Sequence, residues 1–473
     1  MNTSTFYKTI STILILLGIL SIQVYSNGYN ITVKIHNLSN QEIYLGYHYG
    51  SKLLVSDTAV LDNQGRGVFT GKTKLPGGLY LIYLPVNQKY FDIILADNQE
   101  FAIENDTSQF QKNISISNSP INETFYTYQQ FLQKKKRKIQ ELRKQKKSLK
   151  EGADATRIEQ ISQKIESIDK EVKEKQKSII TQNQDNFLGT MLKAGQNVQI
   201  PDPPQDESGN VTDSTYQFRY YKNHFFDNID FSDKRILRTP FYERKLKQYF
   251  STLPQSADTL IPQVDSVIKM ARANDEVYKF TVSFLFNHFL KSKVMGMENV
   301  YVHIAENYYL SGEAPWADST FLAKLRKRVK RLQPNLVGTK APDIPLVTKS
   351  GKSMRLHEVS APYTVLIFWE PGCSHCKKVI PKLYDNVFQQ YKENGLRVLA
   401  FYTHNKTDKW TEFIDDHGLQ NWTNVYDPYN KSGFRDLYDV YSTPTIYLLN
   451  KNKKIVAKRI GVESVQKFLK QNL

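Results

Sequence analysis

Cysteine is almost missing from this chain: 473 residues contain two, Cys373 and Cys376. A disulfide framework spread through the protein is thereby excluded. A zinc site on the pair would need two more ligands, and none stands at a fixed spacing. A bridge between the two would close so short a loop that it removes little unfolded-state entropy. The pair therefore reads as chemistry rather than as a staple. Long apolar runs are scarce as well. Thr9 to Val24 is 16 residues, short of the ~20 a spanning helix wants, and no other stretch is a better candidate. Acid is in deficit, 47 Asp and Glu against 64 Lys and Arg, for a net charge of +17. That surplus raises a nucleic-acid reading, but ordered aromatics for base stacking are missing from the most basic stretch.

What is present supports several folded domains. Hydrophobic residues make up 40% of the chain and aromatics 12%, and the length suggests two to four domains with cores of their own. Lys8 and the α-amino group precede the apolar run Ile10 to Leu20, and Val24-Tyr25-Ser26 follows with residues of suitable size for cleavage. This is a signal-peptide pattern over residues 1–26, cleaved after Ser26, and it implies a periplasmic location. The alternative is an inner-membrane tether formed by an uncleaved segment. No cysteine near the cleavage site is available for lipid modification.

From Gly28 to about Ser119 the apolar residues alternate. Ile31, Val33 and Ile35, then Ile43, Leu45 and Tyr47, mark two strands, and Asn63 to Gly67 and Pro76-Gly77-Gly78 punctuate the rest. Residues 27–120 are expected to form an antiparallel β-sandwich. Residues 121–335 are expected to be helical. Ile158, Ile161, Ile165, Ile168 and Val172 form an apolar seam, and a first arm (Phe131, Leu132, Ile139, Leu142, Leu149) precedes it. Glu151 to Asp154 reads as the turn of a helical hairpin. The first arm holds ten Lys/Arg between Lys134 and Lys150 against one acid, Glu141. Such a run suits an anionic surface or a solvated face answered by Glu159, Glu166, Asp169, Glu171 and Glu174 of the second arm. His224, His288, His303 and Glu306 suggest metal ligands only weakly, because no second ligand pair of known spacing accompanies them; core or capping roles are expected.

Residues 336–473 carry the chemistry. Thr364 to Trp369 is an apolar, β-branched run that reads as a buried strand. Pro371-Gly372 stops it, Cys373-Ser374-His375-Cys376 follows, and Val379, Ile380, Leu383, Val387, Phe388 and Tyr391 continue as a helix. A strand, a tight turn and a helix opening on C-x-x-C is the setting of a redox pair. Pro381 lies five residues past the second cysteine, and Tyr441-Ser442-Thr443-Pro444 precedes the apolar strand Ile446 to Leu449.

With Ala341-Pro342-Asp343, Phe368 to Lys377, Pro381 and Thr443-Pro444, this region resembles the TlpA/ResA-like branch of thioredoxin-fold thiol–disulfide oxidoreductases. The stretches Phe91 to Phe101, Arg238 to Phe241 and Val302 to Trp316 resemble β and helical domains found upstream of such modules in exported bacterial proteins. The resemblance implies an enzyme that exchanges disulfides with protein thiols of the cell envelope, served by a membrane or periplasmic redox partner. It needs no cofactor beyond a redox-active Cys373–Cys376 disulfide, no metal and no nucleic acid. Cys373 at the helix start is the expected nucleophile and Cys376 the resolving thiol. Pro444 is expected to be the cis-proline that presents a backbone edge to substrate, with Thr443 and Trp369 beside it. His375, a donor to the thiolate, favours the reduced form.

Three positions depart from the pattern. Ile367 stands where thioredoxins bury an aspartate, Val379 where many relatives place a glutamate, and Gly372 where a tryptophan usually precedes the first cysteine. Glu370 is then the candidate proton relay for Cys376, unless it is a solvent-facing rim carboxylate. Two other functions remain in view: a thiol peroxidase of the related peroxiredoxin branch, and a non-enzymatic envelope binding protein whose thioredoxin module is structural.

Overall fold

The computed structural model describes residues 28–108, 112–149 and 154–473. The signal-peptide segment 1–26 and the turn residues 151–153 lie outside the described residues. The chain divides into two compact units, one ending at Lys247 and the other running from Gln248 to Leu473. The division falls inside a helix, Phe241–Thr252.

Among its described residues, the first unit holds eight strands: β1 (Tyr29–His36), β2 (Glu42–Tyr49), β3 (Lys52–Val60), β4 (Arg66–Gly71), β5 (Gly78–Leu84), β6 (Lys89–Leu95), β7 (Glu100–Asp106) and β8 (Ser115–Ser117). They form two sheets, β4-β1-β7-β8 and β3-β2-β5-β6. Ile31, Val33, Ile35 and Phe69 of one sheet and Leu45, Ile82, Phe91 and Ile93 of the other share one core. This is the sandwich that the alternation predicts. One pair departs from antiparallel: β1 and β7 run parallel. The intervening chain builds the whole of the second sheet, and β4 of the first, before returning, which gives the long crossover that a parallel pair needs.

Strand β6 is an edge, and it is closed by a side chain rather than by another strand. The buried Asn122 accepts from Ile94 N–H at 2.7 Å and donates to Ile94 C=O at 2.8 Å. Both backbone groups are thereby satisfied where the first long helix crosses the sheet. That helix, Pro120–Lys147, and its partner, Ala155–Gln182, are each 28 residues long, about 42 Å at the α-helical rise. Leu142, Ile161 and Ile179 are buried along the seam, while Ile158, Ile165, Ile168 and Val172 are half-buried. Lys135 pairs with Glu171 on the opposite arm, and Lys146 donates to Ser162 at 2.8 Å. His224 turns to Asp227 at 2.7 Å.

The second unit opens with helices Ala257–Ala271, Asp275–Leu290, Met297–Ile304 and Ser319–Leu332. Ser256, Asn274 and Asp318 cap three of them through side-chain oxygens that accept first-turn N–H groups. Val264, Ile268, Val277, Leu285, Val300 and Ile304 are fully buried between them. His303 bonds Asp265 at 2.7 Å, Glu306 accepts from Gln333, and His288 stacks near Phe284. Among the described residues no group of three His, Cys, Asp or Glu stands together as a metal cluster.

A seven-stranded sheet completes this unit: β9 (Pro345–Thr348), β10 (Ser353–Arg355), β11 (Tyr363–Trp369), β12 (Arg397–Tyr402), β13 (Thr423–Tyr426), β14 (Thr445–Asn450) and β15 (Ile455–Lys458). The order is β10-β9-β13-β12-β11-β14-β15. β11 lies between parallel β12 and antiparallel β14. Val365, Ile367 and Trp369 face one core and Leu366 and Phe368 the other. Both faces are covered, so the strand reads as an unbroken apolar run. The chain after the cysteines is helical over Ser374–Leu383 and continues through a π-helical turn, Tyr384–Phe388. Pro381 stands inside this helix, and a proline there removes one ladder hydrogen bond. Among the described residues no helix is long and apolar enough to cross a membrane.

Candidate active site

β11 ends at Trp369, and Glu370-Pro371-Gly372 turns the chain into the helix Ser374–Leu383, with Cys373 as its N-cap residue. The first N–H groups of a helix have no intrahelical partner, so they face the Cys373 sulfur. Burial pushes the Cys373 thiol up. Hydrogen bonds from the backbone of Cys376 and His375 and a contact with Thr443 outweigh it, and the net result lies below the ordinary thiol value. Cys376, one turn in, is fully buried, and burial above all pushes its thiol up to about 12. Both cysteines are free thiols here. One sulfur is therefore made acidic and half-exposed, and the other is kept protonated beneath it.

The loop before β14 meets this sulfur. The Thr443–Pro444 peptide is cis. As a thiol, Cys373 donates to the Thr443 carbonyl at 3.2 Å. The Thr443 hydroxyl donates to Glu370 Oε1 at 2.9 Å, and His404 Nε2 stands 2.7 Å from Glu370 Oε2. Glu370 thus joins three chain segments: the end of β11, the loop after β12 and the proline loop. It is tied into the site rather than waving at the rim.

His375 is exposed and shares a helix face with Val379, four residues on. The two line a cavity of about 410 Å³ with Tyr441, Pro444, Ile446 and Ile460. Val379, at the position where a glutamate was looked for, is therefore part of this wall. Ile367, in place of the buried aspartate, is a fully buried core residue.

Trp369 does not take the substrate-facing place expected of it. It is 0% exposed, with its ring 5.1 Å from that of Phe413. The two-residue period of β11 puts it on the same inner face as Val365 and Ile367. The aromatic that does face the cavity is Tyr441, 59% exposed. Tyr441 and His404 were both missed as site residues. His404 was findable in principle, since loops at the C-terminal ends of parallel strands gather at the site of such sheets.

A sheet with parallel β11 and β12, antiparallel β14 and β15, and a helix starting on C-x-x-C opposite a cis-proline loop defines the thioredoxin-like class. The AhpC/TSA family model matches residues 337–458. Models of two domains of unknown function, DUF5106 and DUF4369, match residues 156–335 and 29–125. Among solved structures, a domain of a possible thiol-disulfide isomerase from Cytophaga hutchinsonii is 40% identical; the match covers 29% of this chain and 94% of that one, with a TM-score of 0.28. The C-terminal domain of an uncharacterized protein from Bacteroides fragilis is 32% identical, covering 29% and 99%, with a TM-score of 0.27. A thioredoxin-like protein from Bacteroides caccae is 23% identical, covering 59% and 99%, with a TM-score of 0.44. No curated protein matches the chain. Residues 337–458 are thus an AhpC/TSA-type thioredoxin-like domain.

Proposed function

We propose that the protein is an exported thiol–disulfide oxidoreductase that exchanges disulfides with envelope proteins through Cys373 and Cys376. The observation that carries this reading is the asymmetry of the two sulfurs. Cys373 has its thiol lowered at a helix start beside Thr443–Pro444, and Cys376 is buried with its thiol raised to about 12. The Cys373 thiolate attacks one sulfur of a substrate disulfide, forming a mixed disulfide and releasing the other sulfur as a thiolate. Cys376 then loses its proton and attacks the Cys373 sulfur. The second substrate thiolate leaves, the Cys373–Cys376 disulfide forms, and two electrons have passed to the substrate. Run backwards, the same steps oxidise a dithiol.

Glu370, held by Thr443 and His404, is the group we assign to taking the Cys376 proton. His375 sits on the exposed helix start, where a protonated imidazole stabilises the thiolate and shifts the couple towards the reduced form. Pro444 and Thr443 present the backbone edge along which a substrate strand lies. No cofactor is needed beyond the cysteine pair. Export rests on the N-terminal pattern of residues 1–26, and the basic arm Lys134–Lys150 offers a second contact, with an anionic envelope surface.

Trapping tests the proposal. Cys376→Ser should accumulate mixed disulfides with envelope proteins, and the wild type, but not Cys373→Ser, should reduce insulin disulfides. A Cys373→Ser protein as active as the wild type would refute it.

A further inference from the structure

The helix Ser319–Leu332 carries six basic residues, Lys324, Arg326, Lys327, Arg328, Lys330 and Arg331, and no acid. Two of them are paired: Arg328 with Asp439 at 2.7 Å and Arg331 with Asp436 at 2.6 Å. Lys324, Arg326, Lys327 and Lys330 are exposed and make no ion pair among the described residues. Lys324, Lys327, Arg328 and Arg331 follow the spacing i, i+3, i+4, i+7 and therefore lie along one face. The stripe is about 10 Å long at the helical rise.

The stripe does not end in open solvent. Arg328 donates to the Tyr441 hydroxyl at 2.5 Å, and the guanidiniums of Arg328 and Arg331 lie 5.4 and 5.8 Å from the centroid of its ring. Arg459 lies 5.6 Å from the same centroid. Tyr441 in turn lines the cavity that holds His375 and Pro444. On the active-site helix, which gives His375 and Val379 to that cavity, Lys377, Lys378 and Lys382 are exposed and also lack an ion pair among the described residues. Most nearby carboxylates are already engaged; the exception is Glu463, exposed beside the lining residue Gly461 and without an ion pair among the described residues. Asp439 is enclosed by Arg328 and Arg459, Asp436 holds Arg331, Glu298 holds Lys458, and Glu370 holds His404. Glu463 aside, the unneutralised charge around the redox cleft is positive.

We infer that the basic helix face is a docking rail for an acidic segment of the disulfide partner, lying next to its reactive cysteine. This rests on the exchange reading of Cys373 and Cys376 and adds the partner's chemistry. The helical region then has a function: it selects substrates by charge and delivers them along the stripe to Tyr441 and the cleft. Charge of this kind raises the encounter rate and discriminates between partners, and salt weakens both effects.

The test uses the full mature chain and three peptides. Each carries one cysteine disulfide-bonded to thionitrobenzoate, with identical neighbours and a flank of acidic, neutral or lysine residues. Reduction yields the peptide thiol and coloured thionitrobenzoate, and the enzyme pair becomes its disulfide. At low salt, the second-order rate constant for a single turnover of the reduced enzyme should be about tenfold higher for the acidic than for the neutral peptide and lowest for the lysine peptide. The preference should shrink in about 0.5 M salt. Lys324→Glu combined with Lys327→Glu should bring the acidic peptide down to the neutral peptide's rate, and the glutamine pair should fall between.

Equal rates for acidic and neutral peptides on the wild type, or an unchanged preference in the double variant, would overturn the inference. Failure of every peptide to react would count against the exchange reading instead. Anisotropy of labelled acidic peptide on the Cys373→Ser/Cys376→Ser protein would then still decide the docking. A membrane is the competing occupant. Cosedimentation with phosphatidylglycerol vesicles that depends on Lys324 and Lys327, without any peptide preference, would assign the rail to lipid and overturn the proposal.

Discussion

The two thiols should differ in reactivity by a margin that the structure lets one work out. Cys376 is pushed up to about 12, whereas Cys373 lies below the ordinary thiol value. At pH 7 a thiol at about 12 is about 10⁻⁵ ionised, and an ordinary thiol, at ~8.5, serves as the benchmark for the exposed sulfur and is about 3% ionised. Ionisation alone therefore favours an ordinary thiol over Cys376 by about 3.5 decades, and Cys373 is shifted in the acidic direction. A more basic thiolate is the better nucleophile, with a Brønsted slope of ~0.45, which returns about 1.6 decades to Cys376. The remainder is close to 10², before the complete burial of Cys376 adds to it.

Single-cysteine variants read this directly. Cys376→Ser, which keeps Cys373, should react with a small aromatic disulfide at least about a hundredfold faster at pH 7 than Cys373→Ser, which keeps Cys376. Its rate should rise with pH to a plateau whose midpoint lies below the ordinary thiol value, because the folded thiol is the more acidic one. Comparable rates for the two variants, or a midpoint above the ordinary value, would refute the argument from helix N–H groups and burial.

Two further outcomes follow from contacts around the site. Asp439, whose side chain is 0% exposed between Arg328 and Arg459, holds a left-handed backbone, φ 49°, which asparagine also tolerates. Asp439→Asn should cost about 2–4 kcal/mol at pH 7 in urea unfolding, towards the low end because both guanidiniums keep some solvent. Burial raises its pKa, but bonds to Arg328 and Tyr441 lower it further, leaving it depressed in the folded state. Its stabilisation is therefore present above the unfolded value near ~3.9 and fades as pH falls through the lower folded value, so the gap to wild type should close in acid. A gap that stays constant into strong acid would show that something other than the charge was lost. His404→Ala removes a half-exposed partner of Glu370 and should shift stability by less than about 0.5 kcal/mol. It should slow resolution of a Cys373 mixed disulfide about tenfold without altering Cys373's own reactivity, and His404→Gln should restore part of the loss. An unchanged resolution rate would remove His404 from the mechanism.

Much of the second unit could be read from the chain because its signals are local. β11 is apolar on both faces, so its composition alone announces a buried strand, and Pro371-Gly372 fixes where the turn and the cysteines come. The hairpin of β9 and β10 escaped notice, since short strands holding Pro345, Ser353 and Arg355 carry no alternating signal. The parallel pairing of β1 with β7 was hidden for another reason: alternation gives the buried face of a strand and is silent on its direction. Within the site, the contrast between an exposed, acidic Cys373 and a buried Cys376 was legible from their places relative to the helix start. The substrate-facing place of Trp369 came from the resemblance alone, while the two-residue period of its buried strand already assigns it to the core. The partnership of Glu370 with His404 joins positions 34 residues apart, and only the packing of β11 against β12 creates it.

The same limit applies to the stretch Leu332 to Asn335, which reads as a hinge before the last domain. Along the chain it marks the change from helix to strand, but its surroundings are not those of a hinge. Asn335 is fully buried, donates to the Leu437 carbonyl at 3.0 Å, and accepts from the buried Lys458 at 2.9 Å. Lys458 also pairs with Glu298, and Arg328 reaches Asp439 on the far side of the same cluster. A buried ammonium or carboxylate stripped of its partner is costly, several kcal/mol for each ion. Separating the helices from the sheet would strand Lys458 and leave Asp439 to Arg459 alone. Swinging apart is therefore opposed by charge as well as by apolar contact, and Arg328 holds Tyr441 at the cavity lip only while the two stay together. The helix that presents the basic stripe is thus bound to the thioredoxin-like module by the same residues, Asp439, Tyr441 and Arg459, that line its cavity.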